Sequence, residues 1–117
     1  MDLKWGVSLR NSIAGLRHGI RHERPVRQEV AALVAALILA PLLARDGLHG
    51  VLLVAAVAAT LVIELLNAAI ETVCDRITRE HDEQVRIAKD YGSAAVTLTI
   101  LVGLAVWFEA VWHVVLR

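Results

Sequence analysis

Several residue types that characterise soluble or secreted domains are scarce in this sequence. The single cysteine, Cys74, excludes an internal disulfide, and no set of cysteines and histidines has zinc-site spacing. Aromatic residues make up 4% of the chain, and 12 basic residues balance 12 acidic ones. No overall electrostatic field therefore points to nucleic acid, and any argument from charge depends on where the charges lie.

Charge is also missing from three long stretches, residues 30–44, 47–63 and 91–108. In a chain of 117 residues that is 57% apolar, with mean hydropathy +0.60, these stretches leave too little polar surface for a soluble bundle. We therefore predict an all-α membrane protein with a single domain over residues 1–117. Its transmembrane helices are expected at about 28–45, 50–73 and 91–115.

Basic residues lie mainly on one side of the predicted spans. Six precede the first span and four lie between the second and third, whereas Arg45 and Arg117 are the two on the other side. By the positive-inside rule, the N-terminus and the second loop are predicted to be cytoplasmic. The charged stretch continues through Arg27 before the first span begins, which argues against a cleavable signal peptide.

The segment before the first span has the pattern of an amphipathic helix. Its apolar positions follow helical spacing and lie beside arginines that include Arg17; they are Leu9, Ile13, Leu16 and Ile20. Such a helix is expected to lie in the cytoplasmic interface of the membrane. Pro25 limits it, and the chain is expected to turn near Arg24.

A line of polar residues interrupts the second apolar stretch. Glu64, Asn67, Glu71 and Asp75 are spaced i, i+3, i+7 and i+11, so one helix face carries all four. Glu64 is expected inside the hydrocarbon, with Glu71 near the cytoplasmic boundary. A carboxylate within a membrane is costly, and this favours a functional role facing the protein interior.

Two chemistries fit such a line of carboxylates, and residue spacing alone leaves both open. One is a proton or cation relay, as in a small proton-coupled transporter. The other is phosphoryl transfer, which needs a base for the attacking hydroxyl, oxygen ligands for Mg²⁺ and cations for the phosphates. Glu64, Glu71 and Lys89 provide these groups. Neither familiar glycine-rich phosphate loop is present.

Four segments resemble the bacterial diacylglycerol kinases, a family of small integral membrane lipid kinases. The most specific are residues 64–75 (ELLNAAIETVCD) and 88–96 (AKDYGSAAV), and residues 15–17 (GLR) and 22–29 (HERPVRQE) add to them. The resemblance covers nearly the whole chain. It implies a homotrimer in the bacterial inner membrane that uses ATP and Mg²⁺ to phosphorylate diacylglycerol to phosphatidic acid.

The resemblance also implies roles for individual residues. Glu64 corresponds to the catalytic base and Asn67 to a polar residue beside it, while Glu23 and Glu71 correspond to metal-binding carboxylates. The implied ATP-binding residues are Lys4, Asn11, Glu23, Glu71, Glu80, His81, Asp82, Lys89 and Asp90. The implied substrate-binding residues are Arg17, Arg27, Glu29 and Ser93.

This sequence departs from the family pattern at two of these positions. Lys4 stands where relatives commonly have an arginine, and lysine is the weaker bidentate phosphate ligand. Asn11 stands where some relatives have a tyrosine near the nucleotide. A related branch of small membrane kinases shares the glutamate and asparagine line but uses undecaprenol. Undecaprenol is therefore the alternative lipid, although residues 27–29 resemble the diacylglycerol branch more closely.

Overall fold

The computed structural model describes residues 2–116, and within them the chain forms four helices and no strand. The helices are α1 (Asp2–His22), α2 (Arg24–Leu43), α3 (Gly47–Ile77) and α4 (Glu83–Val115). The last three are long and apolar enough to cross a membrane. The prediction of an all-helical chain with three such helices is therefore confirmed.

The turn between α1 and α2 lies where the proline predicts it. Glu23 has an extended backbone, and Pro25 occupies the first turn of α2, where a missing N–H costs nothing. Nη1 of Arg27 donates to the carbonyl oxygens of Ile20 and Arg21, at 3.1 and 3.2 Å. Arg27 therefore caps the end of α1, and its role toward substrate stays a prediction.

Helix α1 contacts the other helices through Gly19, near its C-terminal end. A Cβ added there would lie 3.1 Å from a methyl carbon of Val26 and 3.4 Å from one of Leu65. Further back along α1, Leu9 and Ile13 are exposed. Gly19 thus permits the close approach that holds the α1–α2 turn against α3, and the placement of α1 at a membrane interface stays a prediction.

Charged side chains join the helices at the end of the molecule that carries the α2–α3 turn, here called the far end. Arg45 Nη1 lies 2.8 Å from a carboxylate oxygen of Glu109, and His49 and His113 approach the same carboxylate at 3.6 and 3.1 Å. Asp46 caps α3 by accepting a hydrogen bond from the backbone N–H of His49. The far end is therefore fixed by contacts between residues distant in sequence.

Helices α3 and α4 run antiparallel, and glycines of α4 lie against residues of α3. The indole N–H of Trp107 donates to the carbonyl oxygen of Leu53 at 3.0 Å, and Leu53 is fully buried. Gly103 lies opposite Ala56, and Gly92 lies opposite Asn67. In this register the polar line of α3 lies beside the N-terminal part of α4, at the end of the molecule opposite the far end.

Candidate functional site

The polar line on α3 lies where helical spacing predicts it. Glu64 is 7% exposed, which makes it one of two buried polar residues in the described part of the chain. One turn further on, Asn67 Nδ2 lies 3.5 Å from Oε1 of Glu71, which is exposed. The line thus runs from a buried carboxylate to a solvent-accessible one within seven residues of a single helix.

Carboxylates from two other parts of the chain join this line. Glu71, Glu29 and Glu23 all lie close enough to Glu64 for their charges to act on it. Glu23 is held there because the α1–α2 turn packs against α3 at Gly19. Glu23 and Glu29, which the sequence analysis selected outside α3, therefore lie within electrostatic range of the polar line.

The carboxylates around the polar line are donors of the type that magnesium ions prefer. Mg²⁺ is usually held by one or two carboxylates together with phosphate oxygens, and it needs no cage of protein ligands. Glu23 makes no side-chain capping bond, and Glu71 is exposed, so both carboxylates can take a further ligand. Among residues 4–116, whose side chains the structure describes, no three histidine, cysteine or acidic side chains form a metal cluster. In their donor chemistry, Glu23 and Glu71 fit the smaller protein contribution that Mg²⁺ requires.

Two predicted site residues lie on α4, and each forms an ion pair. Lys89 Nζ lies 2.9 Å from a carboxylate oxygen of Asp75, and this pair links α4 to the end of the polar line on α3. Asp90 accepts from Nη1 of Arg86 at 2.7 Å, and Arg86 also pairs with Glu83. Arg86 was given no role in the sequence analysis, although its i+3 and i+4 spacing from acidic residues predicts these ion pairs.

The remaining predicted residues are exposed. Asp82 caps α4 by accepting a hydrogen bond from the backbone N–H of Val85 at 3.0 Å, so its first role is structural. The others lie along α1, in the loop before α4, and on α4 itself; they are Lys4, Asn11, Arg17, Glu80, His81 and Ser93. Their roles toward ATP or lipid stay predictions.

Comparison with known proteins shows which family the chain resembles over most of its length. Residues 10–111 match the sequence profile of the family described as prokaryotic diacylglycerol kinase. The diacylglycerol kinase of Escherichia coli (strain K12) is 41% identical over 98 residues, which cover 84% of this chain and 80% of that protein. The diacylglycerol kinase of Haemophilus influenzae is 33% identical over 100 residues, covering 86% and 85%. That of Pseudomonas aeruginosa is 35% identical over 96 residues, covering 82% and 78%.

Proposed function

Because the chain belongs to the prokaryotic diacylglycerol kinase family, we propose that it transfers the γ-phosphate of ATP to the hydroxyl of diacylglycerol, forming phosphatidic acid. The observation that carries the proposal is the line from buried Glu64 through Asn67 to exposed Glu71, which joins an apolar interior to a polar surface. A lipid hydroxyl and a water-soluble nucleotide must meet at such a boundary. Membership of a kinase family favours this reaction over the transporter alternative.

In the proposed reaction, Glu64 orients the lipid hydroxyl and accepts its proton. The hydroxyl oxygen attacks the γ-phosphorus, a new oxygen–phosphorus bond forms, and the bond to the β-phosphate oxygen breaks to leave ADP. Asn67 keeps the neighbouring carboxylates in place, and Lys89 offers its ammonium group to the phosphates. Mg²⁺ held by Glu23 and Glu71 would neutralise charge on the transferred group.

The proposal includes an assembly and a location. Only two large side chains, Leu53 and Val26, are fully buried among the described residues, and much apolar surface on α2, α3 and α4 faces outward. In a bacterial inner membrane, lipid and neighbouring subunits would cover this surface. We place the N-terminus in the cytoplasm, where ATP is available, and we assign a homotrimer in which a neighbouring subunit helps to enclose the nucleotide.

The lipid is tested with purified full-length protein, γ-labelled ATP and Mg²⁺ in separate micelles of diacylglycerol and undecaprenol. We expect label to enter phosphatidic acid at least about tenfold faster than undecaprenyl phosphate, a preference worth about 1.4 kcal/mol in transition-state binding. Faster labelling of undecaprenol would overturn the lipid assignment. Absence of label in both lipids would overturn the proposed reaction itself.

The role of Lys89 is tested by comparing its replacement with that of its partner. Lys89→Met removes a cation from the phosphates, and we expect the KM for ATP to rise about tenfold because a charge-assisted hydrogen bond is lost. Asp75→Asn breaks the same ion pair but leaves the ammonium group, which has three donors. We expect its KM to change less than about threefold because exposed pairs contribute little.

The KM for ATP of the two variants is measured by steady-state kinetics, with the ATP concentration varied at a saturating concentration of lipid. Equal increases in KM for Lys89→Met and Asp75→Asn would show that the pair only holds α3 against α4, and the nucleotide role of Lys89 would be wrong.

A further inference from the structure

Gly92 on α4 makes an unusually close approach to Asn67 on α3. Of the seven glycines, all within the described residues, Gly92 is the one where an added Cβ would overlap another atom, Oδ1 of Asn67. Gly103 lies three turns further along the same face of α4, and a Cβ there would meet the carbonyl oxygen of Ala56 at 3.9 Å, an ordinary contact. The close approach is therefore specific to the position beside the polar line.

The Asn67 amide is oriented by this contact and by one hydrogen bond. Its Nδ2 lies 3.5 Å from Oε1 of Glu71, so the donor end of the amide faces the carboxylates. Its Oδ1 is buried against α4 and has no hydrogen-bond partner in the described structure. An unpaired buried acceptor costs stability, and a Cα–H contact with Gly92 compensates only weakly. The absence of a side chain at Gly92 thus leaves the space that Oδ1 of Asn67 occupies.

We propose that Gly92 is a positioning residue of the phosphotransfer site. By presenting no side chain, it leaves room for Oδ1 of Asn67, and the amide then directs its N–H₂ group toward the carboxylates of Glu71 and Glu64. This inference rests on the proposed function, because it assumes that these carboxylates carry the reaction. It adds to the site a residue that bears no functional group.

Replacement by alanine should disturb the site more than the fold. The overlapping atom is the end of the Asn67 side chain, which can rotate away while the backbones of α3 and α4 keep their positions. The rotation withdraws the N–H₂ group from Glu71. Because small misplacements of groups around a reacting centre can cost orders of magnitude in rate, the penalty falls on catalysis.

The kinetic test compares Gly92→Ala with Gly103→Ala in the full-length protein, both assayed with γ-labelled ATP and diacylglycerol. For Gly92→Ala we expect kcat to fall at least about tenfold, with the KM for each substrate within about twofold of wild type. For Gly103→Ala we expect kcat within about twofold of wild type, because the added methyl group makes an ordinary contact. A Gly92→Ala protein with wild-type kcat would overturn the inference.

Nuclear magnetic resonance tests the amide directly, independently of activity. The chain contains two asparagines, Asn67 and Asn11, so protein labelled with ¹⁵N-asparagine gives two side-chain N–H₂ signals. We expect Gly92→Ala to shift the Asn67 signal, Gly103→Ala to leave it in place, and the signal of exposed Asn11 to stay unchanged in both. An unmoved Asn67 signal in Gly92→Ala would overturn the inference even if kcat falls.

The two proposals fail in distinguishable ways. If wild-type protein labels no lipid, the proposed reaction is wrong, and the role assigned to Gly92 is lost with it. If wild-type protein is active and the Gly92→Ala variant matches it, only the role of Gly92 is wrong.

Discussion

Glu64→Gln is expected to lower the rate of lipid phosphorylation about 10³-fold, the effect of removing a general base from a positioned site. Glutamine has nearly the same shape as glutamate but cannot accept a proton at neutral pH. Its amide is uncharged, so the buried position becomes easier to occupy and the helix is expected to remain intact. The fall should therefore appear in kcat while the protein still inserts into membranes.

The matched control for this variant is Glu109→Gln. Glu109 also lies on an apolar helix, but it pairs with Arg45 at the far end. We expect its phosphorylation rate to stay within about threefold of wild type, because surface ion pairs contribute little and the pair lies far from the site. A Glu64→Gln protein that labels diacylglycerol at the rate of this control would show that Glu64 is not the base.

Glu71→Gln is expected to raise the Mg²⁺ concentration needed for half-maximal activity at least about tenfold, which corresponds to about 1.4 kcal/mol of lost metal affinity. The exposed carboxylate of Glu71 is held by Asn67 through one oxygen, which leaves the other available to a metal ion. An amide is a weaker ligand than a carboxylate, so Mg²⁺ must be supplied in excess. Part of the lost rate should return at high Mg²⁺.

This prediction is measured as phosphorylation rate against free Mg²⁺ at a fixed concentration of ATP. Glu83→Gln is the comparison, because Glu83 is another exposed carboxylate on the same side of the molecule but pairs with Arg86 on α4. We expect its Mg²⁺ dependence to match wild type. If Glu71→Gln also matches wild type across the titration, Glu71 is not a metal ligand and the assignment is wrong.

The helices could be predicted from the sequence because the absence of charge is a local property. The three uncharged stretches predicted the three long helices, and Pro25 predicted the turn before α2. Helix α3 continues beyond its apolar stretch to Ile77, and α4 begins before its own at Glu83, where Asp82 caps it. The polar and charged turns in these extensions also favour helix. Hydropathy alone does not measure such contributions.

The acidic part of the site could be predicted for the same reason. Helical spacing fixes Glu64, Asn67 and Glu71 on one face of α3 whatever surrounds that helix. The close contact between Asn67 and Gly92 depends instead on the register of α3 against α4. That register is set by packing between residues far apart in sequence, including the bond from Trp107 to the carbonyl of Leu53. Neither partner in such a contact reveals the other in the sequence.

The far-end cluster has a mechanical consequence for α3 and α4. Arg45, His49 and Glu109 fasten the two helices at one extremity, while the opposite extremity is linked by the exposed pair between Lys89 and Asp75. Twenty residues of α4, or about 30 Å of helix, separate Glu109 from Lys89, so a tilt of about 5° about the fastened end displaces the other by about 3 Å. Slight repacking at the far end is thus enough to change the distance between α4 and the proposed site on α3.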